Sequence, residues 1–246
     1  MPQTKHGKDL TLMENKIPKI LYEDSHIIVC KKPAGIPTQT KRIGTPDLVS
    51  LLKNHLAASA PSGKAPYLAV IHRLDQPVSG ILVFAKTPAA AKALTQQLTR
   101  QGFGKYYRAL VEGIPPHQED TPENYLVKDL KSNTSHVCEK NTPGAKLARL
   151  HYKIVKKGQG FFNLGRGIFK NTTAPIELEI HLYTGRHHQI RVQLAAMGCP
   201  IIGDSKYNPD AAPGQPLMLC ACRLEFSHPV TKENLAFQLS EEEGAF

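Results

Sequence analysis

Apolar and polar residues alternate along two long stretches of the chain. Ala148, Leu150, Tyr152 and Ile154 share one register. Ile176, Leu178, Ile180 and Leu182 share another, with Glu177, Glu179 and His181 facing the other way. A period of two is the pattern of a strand with one buried face. Ile81 to Phe84 is instead a continuous apolar run, which predicts a strand buried on both faces. Helical spacing follows two capping signals. At Thr45-Pro46-Asp47, Thr caps, Pro fits the first turn and Asp47 complements the dipole, with Leu48, Leu51, Leu52 and Leu56 as the apolar face. Thr87-Pro88 repeats the device and opens a helix to about Arg100, with Ala91, Leu94 and Leu98 inward. A third helix is predicted over His187–Met197, closed by Gly198 and followed by Pro200.

Around these elements, Lys19 to Lys32 reads as strand, turn, strand, ended by Pro33-Ala34-Gly35. Tyr106–Glu112, Met218–Phe226 and Leu235–Leu239 are further strands. Ala57–Pro66 is a small-residue loop, and Ile114–Gly144 carries only short strand-like pieces such as Tyr125–Leu130. The mixture predicts an α+β fold centred on a large, mostly antiparallel sheet. Residues 1–18 read as a flexible basic tail, 19–240 as one domain and 241–246 as an acidic tail. Neither repeats nor low-complexity tracts are present.

Charge narrows the partner. The chain of 246 residues carries 31 Lys+Arg against 21 Asp+Glu, a net charge of +10. That excess favours a polyanion: RNA, DNA or an acidic membrane surface. Residues 1–19 hold no secretory apolar core, and no run approaches the roughly 18 apolar residues of a membrane span. Five cysteines without a CxxC point to reduced thiols rather than zinc or disulfides. A cytoplasmic, monomeric protein without metal is expected. No Rossmann glycine motif follows a strand, and Gly102-Phe103-Gly104-Lys105 lacks the preceding glycine of a P-loop, so no cofactor is expected.

The chemistry concentrates at Ile71-His72-Arg73-Leu74-Asp75-Gln76-Pro77-Val78-Ser79-Gly80, a turn-rich approach to the Ile81–Phe84 strand. A carboxylate at such a bend can be nucleophile, general base, metal ligand or turn cap. His72-Arg73-Leu74-Asp75 followed by Ser79-Gly80 resembles the catalytic motif of RluA/RsuA-type RNA pseudouridine synthases. Three more segments resemble that family in order: Asp24–Gly35 its opening hairpin, Lys105–Gly113 its tyrosine strand, and Thr184–Val192 its arginine-bearing turn and helix. The resemblance implies a pseudouridine-synthase-like catalytic domain with flanking helices and a central cleft. The S4 RNA-binding domain frequent in the family is not expected, because 18 residues cannot form one.

The resemblance also assigns roles. Conversion of uridine to pseudouridine breaks N1–C1′, turns the uracil and rejoins it through C5, without loss of atoms or oxidation. Asp75 is implied as the nucleophile and Tyr107 as the residue that stacks on the target uracil, while Tyr106, on the opposite strand face, packs. Arg191 is implied as the basic partner of Asp75, since a buried carboxylate needs an adjacent cation. Arg73 would fill the stack vacated by a flipped nucleotide. Arg186, near a helix start, is a candidate phosphate contact. His72, which orients the loop, and His187 complete the candidate RNA contacts. Histidines 181, 187 and 188 invite a zinc site, but Arg186 and Arg191 would repel the cation. Val78 stands where the family most often has Thr, and Cys220 where His is common.

The expected function is an RNA pseudouridine synthase acting on ribosomal or transfer RNA. The alternative is a catalytically silent RNA-binding or assembly factor on the same fold, which should have lost Asp75, Tyr107 or Arg191. A methyltransferase would need a glycine-rich cofactor loop that the chain lacks.

Overall fold

A strand that is apolar on both faces must be covered on both, and Ser79–Ala85 is. In the computed structural model, which describes residues 18–42, 44–58, 65–100, 102–157 and 175–244, Ile81 to Ala85 are at most 1% exposed. The chain divides into two compact units, residues 1–100 with 227–237, and residues 101–226 with 238–246. The basic tail expected at 1–18 falls, apart from Pro18, outside the described residues.

In the first unit, β1 (Lys19–Glu23) and β2 (Ile27–Lys32) form an antiparallel hairpin. The Asp24 carboxylate closes its turn by accepting from the His26 and Ile27 amides at 2.7 and 2.8 Å. The short strand β3 (Ala69–Val70) and β2 both pair with β4 (Ser79–Ala85). Helix α1 (Leu48–Ala58) buries Leu48, Val49, Leu52 and Leu56. Its cap differs from the expected one. Asp47, not Thr45, accepts from the Ser50 amide at 2.7 Å, and its second oxygen takes the Thr40 amide at 2.7 Å. Helix α2 (Pro88–Thr99) starts as predicted, with Thr87 Oγ1 accepting from the Ala90 amide at 3.2 Å. Residues 227–237 return to this unit, where His228 Nε2 meets Asp24 Oδ2 at 2.9 Å and Tyr22 packs on Phe237.

In the second unit the strand order is β11 (Leu219–Ser227), β5 (Gly104–Val111), β10 (Ile176–Leu182), β9 (Lys146–Lys157), β7 (Glu123–Asp129) and β8 (Thr134–Cys138). Strand β6 (Glu119–Asp120) adds to β9, and β12 (Asn234–Gln238) ends the strand series. The pairings within the units are antiparallel. Together with three described helices they make the architecture α+β. Both predicted alternations hold: Ala148, Leu150, Tyr152 and Ile154 are buried, as are Ile176, Leu178, Ile180 and Leu182. Glu177, on the opposite face of β10 from that register, is nevertheless buried. It is 1% exposed because the Arg108 guanidinium pairs with it across the ladder. Helix α3 (Gln189–Ala196) packs Val192 against Leu126 of β7 and Ala148 of β9. No helix among the described residues is long and apolar enough to cross a membrane.

The Asp47 cap carries the first prediction. Asp47 is 4% exposed and its carboxylate joins the loop at Thr40 to the start of α1. Asp47→Ala should lower unfolding stability by about 1–2 kcal/mol, seen as a lower urea midpoint at unchanged slope. An unmoved midpoint would show that Thr45 or water caps the helix.

Candidate active site

The approach to β4 is held by its own backbone partners. Thr38 Oγ1 donates to the Leu74 carbonyl at 3.0 Å and accepts from the Leu74 amide at 3.2 Å, so one hydroxyl satisfies both groups of the residue before Asp75. The residue after it is held as firmly: the Gln76 carbonyl accepts from the Gly35 amide at 2.9 Å and from Lys32 Nζ at 3.1 Å. Val78 N to Asp75 O, at 3.0 Å, closes the turn between them. Asp75 is therefore a half-buried side chain on a loop fixed on both sides. Arg73 is exposed, Leu74 buried, and His72 Nε2 accepts from the Val83 amide at 3.4 Å, tying the loop to β4. Val78 is buried.

Lys32 anchors this loop from the end of β2. It is fully buried, and its ammonium donates to the carbonyls of Pro33, Ile36 and Gln76 at 3.0, 2.7 and 3.1 Å. Burial pulls its pKa down to about 8, while the Asp75 carboxylate opposes the shift. Lys32 is thus largely charged at neutral pH. Because the unfolded chain holds this proton more tightly, its contribution makes stability rise as pH increases from about 8 toward 10.5.

In the second unit, alternation along β5 sorts the tyrosines. Lys105, Tyr107 and Ala109 are buried on one face; Tyr106 and Arg108 are partly exposed on the other. Tyr106 stacks on His181 with centroids 4.4 Å apart and carries the Arg223 guanidinium 4.9 Å above its ring. It packs, as expected. Tyr107 lies opposite Ile180 of β10.

Every polar residue on the buried part of α3 has a partner. Gln189 Oε1 accepts from Thr184 Oγ1 at 2.7 Å and from the Arg186 amide at 3.0 Å, stapling the turn to the helix start. Gln193 donates to Asn124 at 2.7 Å. Arg191, 4% exposed, forms a fork with the 1% exposed Asp204: Nε to Oδ2 at 2.7 Å and Nη2 to Oδ1 at 2.6 Å. The Tyr207 ring lies 5.2 Å from the guanidinium carbon, and its hydroxyl contacts His188 Nδ1 at 2.8 Å. His188 enters the helix in the left-handed region, φ 54°, a conformation that costs an ordinary residue free energy. The predicted helix accordingly starts at Gln189 rather than His187. His187 stacks on His188 and meets Ser135 Oγ at 3.0 Å. Arg186 is exposed, with Nε donating to the Leu147 carbonyl at 2.8 Å.

The fold thus gathers His72, Arg73 and Asp75 on one loop of the first unit, and Tyr107, Arg186, His187 and Arg191 on β5 and the α3 approach of the second. Sequence reasoning missed the residues that hold them: Lys32, Thr38, Asp204 and Tyr207. Lys32 had a signal, a lysine ending the otherwise apolar strand Ile27–Cys30. Asp204 had none, because its partner is 13 residues away across a loop.

Residues 26–196 match the family of RNA pseudouridylate synthases. An uncharacterized RNA pseudouridine synthase of Bacillus subtilis is 33% identical over 216 residues, covering 87% of this chain and 65% of that protein. Ribosomal large subunit pseudouridine synthase D of Nitrosomonas europaea is 32% identical over 233 residues, covering 89% of this chain and 61% of the relative. The chain thus spans less than two thirds of the length of either. A solved structure, human RNA pseudouridylate synthase domain containing 4, shares the fold with a TM-score of 0.69 at 21% identity, covering 95% of this chain and 90% of that one. Since the matched region runs from the opening hairpin through the Asp75 loop and the tyrosine strand to the arginine helix, this chain belongs to the RNA pseudouridylate synthase family.

Proposed function

We propose that the chain isomerises uridine to pseudouridine in RNA, with Asp75 as the nucleophile and large-subunit ribosomal RNA as the substrate class. The observation that carries this is the Asp75 loop, clamped before the carboxylate by Thr38 and after it by Lys32 and Gly35. Such a loop offers a carboxylate without reorganisation at the moment of reaction, which is where electrostatic catalysis gains most. The net charge of +10 suits a polyanionic substrate. The ribosomal assignment follows the synthase of Nitrosomonas europaea, whose name places its action on the large subunit.

Asp75 attacks C1′ as the N1–C1′ bond breaks; the uracil turns, C5 bonds to C1′ and displaces the Asp75 carboxylate, the C5 proton leaves and N1 gains one. Atoms balance, and no oxidant or reductant is needed. Tyr107 stacks on the base. Arg191 presents a guanidinium that Asp204 and Tyr207 have already oriented, and it supplies the positive charge that the reaction of a carboxylate calls for. Arg73, exposed on the same loop two residues before Asp75, replaces the stacking of the flipped nucleotide. Arg186 and His187 contact the RNA outside the reacting base.

Incubation of the purified chain with unmodified, transcribed large-subunit ribosomal RNA, followed by pseudouridine mapping, tests the function. Defined uridines should convert. No conversion of that RNA, with conversion of transfer RNA instead, would overturn the substrate class, and no conversion of either would overturn the activity.

Lys32→Met should damage stability and turnover together. It orphans the buried carbonyl of Ile36, worth about 1–3 kcal/mol, and the part-buried one of Pro33, partly offset by removal of a buried charge. A net loss of about 2 kcal/mol in urea unfolding and a drop in kcat of the surviving folded protein are expected. Full stability with wild-type kcat would show that the loop does not depend on this anchor.

A further inference from the structure

Among the described residues two lysines are buried, and only one of them has a hydrogen-bonding partner there. Lys32 meets three carbonyls and lies within the field of Asp75. Lys105 is 8% exposed, and among the described residues no carbonyl or carboxylate meets its ammonium. The charge that acts on it is the Arg186 guanidinium, of the same sign. Burial and that guanidinium hold the Lys105 pKa at about 8.

The fold does not require a cation here. Lys105 sits on the buried face of β5, two residues from Tyr107, where the alternation calls for an apolar side chain. Burying a charge without a counter-ion is destabilising. The neighbouring turn lies close to the ammonium. A Cβ on Gly185 would stand 3.7 Å from Lys105 Nζ, and Gly185 itself is exposed. Gly185 is not among the glycines of positive φ, so its backbone does not demand glycine, and it places no side chain between the exposed turn and the ammonium.

We propose that Lys105 and Arg186 form an anion site that takes a phosphate of the bound RNA, close to the nucleotide that stacks on Tyr107. The inference rests on the RNA substrate proposed above and deepens it by naming a backbone contact on the same face of β5. The lysine's missing counter-ion is then the substrate. Two cations that repel each other in the free protein become partners of one phosphate, so affinity is gained where stability is lost.

The test is binding of the transcribed large-subunit ribosomal RNA across a potassium chloride series, with melting temperatures measured on the same proteins. Lys105→Met should bind roughly tenfold more weakly, with a salt slope smaller by about one. It should melt no lower than wild type, because an unpaired buried charge has been removed. Lys105→Arg should retain the slope. Arg186→Met, at an exposed position, should lose a similar increment and guards against misfolding of the buried variant. An unchanged slope in both Lys105→Met and Arg186→Met overturns the proposal, as does a lowered melting temperature with unchanged affinity. If wild type binds this RNA with the expected slope yet forms no pseudouridine, the proposed activity fails while the anion site stands.

Discussion

A guanidinium that is 4% exposed stays charged inside a protein only if its donors are met, and Asp204 meets two of those of Arg191 in a fork. Much of the second unit is arranged around that requirement. The Asp204 carboxylate also accepts from the amides of Lys206 and Tyr207 at 3.0 and 3.3 Å, which folds the loop after Ile202 beneath the helix. Tyr207 then lies against the guanidinium and ties His188 and the Ser135 amide through its hydroxyl. Such a pair adds little net stability, because desolvation of both charges offsets their attraction. What it supplies is a single orientation of Arg191, and removing either partner would strand the other.

The same constraint works differently on the two buried lysines. Lys32 has neutral acceptors on three sides, so its charge fixes the loop that carries Asp75. Lys105 has none among the described residues, and its charge is left for a ligand. A cation satisfied within the fold stabilises geometry; a cation left unsatisfied stores binding free energy.

Alternation and capping were legible in the sequence where the signal is local. The registers of β9 and β10, the buried run of β4 and the Thr87 cap all follow from residues within one element. Errors arose where the deciding partner is distant. Glu177 sits on the face of β10 opposite the buried register, yet Arg108 of the adjacent strand draws it inside. Thr45 is the cap that the local sequence points to, yet Asp47 takes the role, its carboxylate bonding the Thr40 and Ser50 amides together. The left-handed His188 shortens α3 at its start, a backbone state that the apolar periodicity of the segment does not signal. The candidate site was legible as motifs, whereas the residues that hold those motifs were not. Lys32, Thr38 and Asp204 act on backbone or side chains separated from them by loops.

The central claim is that Asp75 drives the exchange of a glycosidic bond from N1 to C5 of uridine. That exchange displaces the hydrogen on C5, so RNA carrying tritium at C5 of its uridines reports it directly. Wild-type protein should release one tritium to water for each pseudouridine formed. Asp75→Asn should release none while still binding the RNA, because phosphate contacts supply most of the affinity. Release by Asp75→Asn at near the wild-type rate would contradict the assignment of this carboxylate.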